Sequence, residues 1–120
     1  MPGSRACRQS SVLYGMGAVD DRGRVADRHL ITALNWHAGT RLNMREHGGL
    51  LVVTADPHGV FKLTRQGYLR LPADARRAAD LRAGDRVFLT ADVDRQTVTV
   101  FPPIALDGLI LPVLPGGEDE

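Results

Sequence analysis

Apolar and polar positions alternate with a period of two through most of this chain, and they predict a protein built mainly of strands. Val12 to Ala18 reads as a first strand, its alternation interrupted by Gly15 and Gly17. Asp20-Asp21-Arg22-Gly23 is a turn signal, and Arg24 to Ala26 a short second strand. Arg41 to Glu46 alternates, with Leu42 and Met44 on one side and Arg41, Asn43 and Arg45 on the other. His47-Gly48-Gly49 turns this strand into the apolar run Leu50 to Val53, a hairpin. Further on, Val60, Phe61 and Leu63 begin a strand, Tyr68 to Leu71 forms another, and Arg86–Asp92 with Gln96–Phe101 makes a second hairpin around Val93-Asp94-Arg95. The helical period appears only in short pieces. Leu30, Ile31 and Leu34 share one face of Arg28–Asn35, and Ala73–Ala79 is a run of good helix formers behind Pro72, expected at the first helical position. Ile104 to Leu111 has room for one or two turns before Pro112, with Gly108 weakening anything longer.

The order of these elements repeats. Gly23-Arg24-Val25 leads through a short helix to Trp36 and the turn Ala38-Gly39. Gly67-Tyr68-Leu69 leads through a short helix to Leu81 and the turn Ala83-Gly84-Asp85. The two halves are joined by Asp56-Pro57-His58-Gly59, too short for a flexible linker, so they are expected to be neighbours. The repeat implies a duplicated small domain, and not a solenoid, which needs more repeats. Trp36 and Leu81 are expected to be buried at equivalent places.

Both halves resemble the AbrB/MazE/SpoVT swapped-hairpin family of bacterial DNA-binding domains. The second carries Leu71-Pro72, Arg76-Arg77, Leu81 and Gly84-Asp85-Arg86; the first carries Val19-Asp20, Gly23-Arg24-Val25 and Ala38-Gly39. The resemblance covers roughly residues 13 to 101 and is closer in the second half. It implies a mainly β fold with short helices, a tandem swapped-hairpin β-barrel with internal pseudo-twofold symmetry, whose halves interleave. The corresponding division is an N-terminus of residues 1–11 expected to be disordered, a first repeat over 12–57, a second over 58–103, and an apolar segment with an acidic tail over 104–120. The resemblance also implies transcriptional regulation through double-stranded DNA.

Composition narrows the alternatives. The net charge is only +1, so binding to nucleic acid must come from local clustering and not from the field of the whole protein. Of 15 basic residues all but Lys62 are Arg, which suits bidentate contacts to phosphate, although a GC-rich coding sequence produces the same bias. Cys7 is single, so no intramolecular disulfide forms. No run approaches 18 apolar residues, and Gly15 and Gly17 interrupt any leader-like core, so a cytoplasmic protein with no membrane partner is expected. The chain is expected to bury roughly two thirds of its unfolded surface, whereas either half alone is near the size where a core becomes marginal.

Candidate chemistry comes from the resemblance. Arg76 and Arg77 lie at its DNA-contacting helix pair and are expected on the exposed side of that helix; the alternative is a solvated face balanced by Asp74 and Asp80. Arg24 matches the arginine of the Gly-Arg-Val strand, but Tyr68 stands there in the second half, while Ile31 and Thr32 replace the paired arginines in the first. Each half keeps a different part of the basic set, so the surface is lopsided where a symmetric homodimer would carry everything twice. Arg65 and Arg70 are weaker DNA-binding candidates, with Arg22 and Arg28 as further supplements. His29, His37, His47 and His58 form no short-spaced ligand pair, so no metal is expected. No nucleophile and base are signalled, and neither an enzyme nor a cofactor is expected. The segment Ile104–Leu114 either docks on the protein's own barrel or binds a protein partner. The alternative function is therefore a protein-interaction module, either an antitoxin-like partner of a toxin or a barrel that has lost DNA binding. Both a monomer with an intramolecular barrel and a homodimer fit the sequence.

Overall fold

A computed structural model describes residues 11–115 of the chain. The N-terminal expectations, Cys7 included, and the acidic end of the tail lie outside the described residues. Among the described residues, eight strands and three short helices run in the order β1 (Val12–Ala18), β2 (Arg24–Val25), α1 (Arg28–Ala33), β3 (Arg41–His47), β4 (Leu50–Ala55), β5 (Phe61–Lys62), β6 (Leu69–Arg70), α2 (Ala73–Ala78), β7 (Arg86–Asp92), β8 (Thr97–Phe101) and α3 (Pro103–Ile110). A 3-10 turn, Leu111–Val113, comes after α3.

Six strands form one antiparallel sheet in the order β1-β7-β8-β4-β3-β5, and β2 and β6 form a separate two-stranded ribbon. The expected closed barrel is not formed. The sheet is open, with β1 and β5 as its two edges. At one edge β5 pairs over only two rungs, Phe61 and Lys62, before the chain turns into the ribbon, and β1 at the other edge pairs with β7 on one side.

Strands of the first and second halves of the chain pair with one another. β1 pairs with β7 from Val12 opposite Asp92 to Ala18 opposite Arg86, and β5 pairs with β3 over two rungs. β4 and β8 pair across the middle, with Leu51 opposite Val100 and Val53 opposite Val98. In the ribbon, Arg24 lies opposite Arg70 and Val25 opposite Leu69. The hairpins β3–β4 and β7–β8 flank the central pair.

Alternation sets the inner face. Leu42, Leu51, Val53, Val87, Leu89, Ala91, Val98 and Val100 turn inward and are buried, and they meet Leu30, Ile31 and Leu34 of the first helical turn region and Leu69, Leu71 and Leu81 of the second half. Trp36 and Leu81 are both 5% exposed, as their positions in the pattern predict. Trp36 keeps its polar atom satisfied by donating from Nε1 to Gln96 Oε1 at 2.8 Å, and Gln96 Nε2 donates in turn to the Leu34 carbonyl at 3.2 Å.

Both helices end the same way. The Trp36 N–H donates to the Ile31 carbonyl (3.2 Å) and the Leu81 N–H to the Arg76 carbonyl (2.8 Å), each spanning five residues. The residues before them, Asn35 (φ 62°) and Asp80 (φ 54°), are left-handed, the position where such a motif usually carries glycine. α1 starts from Asp27, whose carboxylate accepts the Leu30 N–H. Pro72 caps α2 from outside the helix, one position before the place expected for it. The join between the halves is packed down. Gly59 lies so close to the Leu42 backbone that a Cβ there would sit 2.3 Å from its carbonyl oxygen, and Arg41 Nη1 donates to the Gly59 carbonyl at 3.0 Å.

Candidate nucleic-acid interface

The basic side chains that converge are held by two short turns leading into the ribbon. In the first, the Asp20 N–H donates to the Arg24 carbonyl and the Gly23 N–H to the Asp20 carbonyl, both at 3.0 Å. In the second, the Thr64 N–H donates to the Tyr68 carbonyl (3.0 Å) and the Gly67 N–H to the Thr64 carbonyl (2.9 Å). Each turn adds a side-chain acceptor. Asp20 Oδ1 receives the N–H groups of Arg22 (2.9 Å) and Arg24 (2.7 Å), and Thr64 Oγ1 receives the Tyr68 N–H (2.9 Å). Asp and Thr are suited to this local work because their short side chains reach backbone donors within the same turn.

Asp20 also accepts from Arg24 Nε at 2.6 Å. The Arg24 backbone N–H, and then its side chain, hold the Asp20 carboxyl below the usual carboxylate range. The Arg24 guanidinium carbon lies 5.4 Å from the centre of the Tyr68 ring, within cation–π range. Arg24 is thus held from two sides. Among the described residues it spends only Nε, on Asp20, and both Nη groups remain for an acceptor.

Gly23 brings the second half to this turn. Its φ is +77°, and a Cβ there would meet Arg76 Nε at 2.7 Å and the Leu71 carbonyl oxygen at 2.9 Å. The Leu71 N–H donates to the Gly23 carbonyl at 2.8 Å, and Arg76 Nε donates to the Leu71 carbonyl at 3.1 Å. Both requirements, left-handed backbone and close approach, demand glycine.

The result is an open cleft lined by Arg22, Arg24, Arg70 and Arg76 together with Thr64 and Gln66. Of the five arginines singled out in the sequence, Arg24, Arg70 and Arg76 meet here, joined by Arg22. Arg65 is exposed in the turn before β6 and does not line the cleft. Arg76 and Arg77 do not share one exposed face, contrary to expectation. Arg76 is half-buried, because its Nε reaches back under the helix to Leu71. Arg77 is exposed and pairs with Asp74 on its own helix. Consecutive helical residues point about 100° apart, and here Arg76 folds back to the Leu71 carbonyl while Arg77 stays in solvent. Sequence reasoning missed Asp20 as the group that orients Arg24. The available signal was Asp-x-x-Gly before a strand, which suits a carboxylate that caps its own turn.

The segment after the last hairpin is placed differently from the core. No residue of α3 is buried, and Ile104, Leu109, Ile110, Leu111, Val113 and Leu114 are all exposed. α3 touches β7, with Pro103, Ala105 and Leu106 half-buried, so part of this segment rests on the protein's own sheet while its remaining apolar residues stay exposed. Among the described residues no group of His, Cys, Asp and Glu could hold a metal ion, and no helix is long and apolar enough to cross a membrane.

Residues 60–103 match the family model described as antidote-toxin recognition MazE, bacterial antitoxin. The matched segment runs from the start of the second half through the end of β8, and so includes Arg65, Arg70, Arg76 and Arg77. It is similar to an AbrB/MazE-type domain, a broad family likeness that covers the second half. Neither a curated protein nor a solved structure matches the chain.

Proposed function

We propose that this protein is a DNA-binding transcriptional regulator of the AbrB/MazE type that grips double-stranded DNA through the arginine-lined cleft. The observation that carries this reading is the convergence of Arg22, Arg24, Arg70 and Arg76, from both halves of the chain, around a cleft whose other lining residues are neutral. Guanidinium forks suit phosphate oxygens and the O6/N7 edge of guanine, and the major groove admits a two-stranded β-ribbon such as β2–β6. Arg65 and Arg77 stand outside the cleft as outer contacts to the flanking backbone.

In this reading the chain is a tandem: residues 12–57 and 58–103 are two AbrB-like repeats that interleave as two subunits would. The pairing supports it. Exchanging β1 to β4 with β5 to β8 maps the strand order β1-β7-β8-β4-β3-β5 onto itself reversed, and the two ribbon turns use the same backbone hydrogen bonds. The basic set is not exchanged, so the DNA site is asymmetric. The protein acts in the cytoplasm, without catalysis and without a cofactor.

Fluorescence anisotropy with the DNA upstream of the protein's own gene tests the reading. Affinity is expected to fall with salt, log K against log salt sloping at about −0.9 per phosphate neutralised. Arg70→Ala, at an exposed position on the ribbon, is expected to make that slope shallower by about one unit if Arg70 meets phosphate, or to relax sequence preference if it meets a base. No salt-sensitive binding by the wild-type chain would reject the proposal.

A second reading has its own observation. The exposed apolar residues from Ile104 to Leu114 offer a protein partner a surface, and the matched family description is that of an antitoxin. Co-purification of a toxin encoded beside the gene, lost when residues 104–120 are removed, is the outcome expected on that reading.

A further inference from the structure

We infer that β1 is a self-association edge, and that two copies of this chain pair their β1 strands antiparallel across a twofold axis at Gly15. β1 is seven residues long and ends the six-stranded sheet. Among the described residues no strand pairs with its outer side. An exposed, uncharged edge of that length is a template for another strand, and proteins usually blunt such edges with charge, proline or brevity. The opposite edge obeys that rule, since β5 has two residues and one is Lys62. β1, reading Val-Leu-Tyr-Gly-Met-Gly-Ala, carries neither charge nor proline.

The backbone tells which groups are free. At one end of β1 the Val93 N–H donates to the Ser11 carbonyl (2.9 Å). At the other, the Val19 N–H donates to the Asp85 carbonyl (2.9 Å) and the Gly84 N–H to the Val19 carbonyl (2.7 Å). With the continuous register between these points, the odd-numbered residues bond to β7. In an antiparallel pair the alternate residues turn both N–H and C=O away. Val12, Tyr14, Met16 and Ala18 therefore present their backbone groups to the open side.

One register satisfies all of them. With the twofold at Gly15, Tyr14 lies opposite the partner's Met16 and Val12 opposite the partner's Ala18, each a hydrogen-bonded pair. A second copy is self-complementary here, as a twofold interface must be. The side chains agree with the backbone. Tyr14 is 63% and Met16 53% exposed on the outer face. Of the nine exposed large apolar residues among those described, all but Val60 lie either on β1 or in the segment 104–114. The Tyr14 ring stacks on Phe88 at 5.9 Å and Phe88 meets Phe101 edge-on at 5.7 Å, so the pairing extends an apolar row already present. The partner's Met16 would place its sulfur against Tyr14, a favourable contact.

The test uses the full chain without DNA, so its outcome is separate from that of the DNA reading. Sedimentation velocity over roughly 1–100 µM protein follows association in the range of a modest interface. The wild-type chain is expected to pass from monomer to dimer, and the amides of Tyr14 and Met16 to gain protection from hydrogen exchange as it does. Met16→Pro removes an N–H that β7 does not use, which an edge strand tolerates. Met16→Lys keeps the backbone and replaces the apolar contact with charge. Both are expected to weaken dimerisation by about tenfold or more, the free-energy equivalent of about 1.4 kcal/mol, and if Met16→Pro fails to fold, Met16→Lys decides. A wild-type chain that stays monomeric overturns the inference, including the case in which Tyr14 and Met16 are protected in the monomer because residues 1–10 cover the edge. So does a folded Met16→Lys protein that dimerises like the wild type.

Discussion

Asp20 shows how much one side chain settles in this protein. Its carboxylate closes a turn, receives two backbone N–H groups and fixes Arg24. The pair is part-exposed, and such pairs contribute little net stability, so its effect is chiefly on where Arg24 is held. Because the folded state lowers the Asp20 carboxyl, the associated stability is present above the unfolded-state value, about 4, and is lost as pH falls through the lower folded value. Asp92 behaves alike, lowered first by the Arg95 side chain and then by its backbone N–H. The expected outcome is a melting temperature that declines below about pH 4, and a smaller decline over that window in Asp20→Asn. Thermal melts of both proteins from neutral to acid pH check it. If the two acid limbs coincide, the hydrogen bonds to Asp20 are not retained in solution.

At the scale of elements, the helices are short and depend on the residues just after them. α1 and α2 have six residues each, below the length at which a helix is stable by itself. Each is anchored by a left-handed residue and then a buried apolar side chain, Trp36 or Leu81. Leu81→Ala is expected to cost about 2–5 kcal/mol in chemical denaturation, as for other deletions of a buried leucine side chain. A cost under about half a kcal/mol, the scale of a neutral surface change, would mean that Leu81 does not anchor α2. The left-handed ends were not legible. Asn and Asp tolerate that conformation better than other residues, but they are equally at home in turns and caps, so their presence does not select it.

Whole-molecule architecture joins strands from both halves of the chain. Among the described residues, β1 pairs with β7 alone and β2 with β6 alone, both from the second half. Residues 12–57 alone would therefore lose both pairings and the second half's share of the core. That fragment is expected to be unfolded or to self-associate, read by amide resonance dispersion and sedimentation. A monomeric, well-dispersed fragment would show that the interleaving is not needed for folding.

The hydrophobic pattern by itself determined the strands, the short helices and the burial of Trp36 and Leu81, because period and burial are local consequences of which face must leave water. Tertiary structure alone decided that the sheet stays open, since closure depends on pairing between two edge strands far apart in the chain, which no local pattern specifies. It alone decided which arginines meet. Arg22, Arg24, Arg70 and Arg76 are separated by up to 54 positions in the chain and converge only because Gly23 lets two backbones touch. Arg76 and Arg77 are neighbours in sequence and part company because one folds back to the Leu71 carbonyl and the other pairs with Asp74, a difference that no list of basic residues contains.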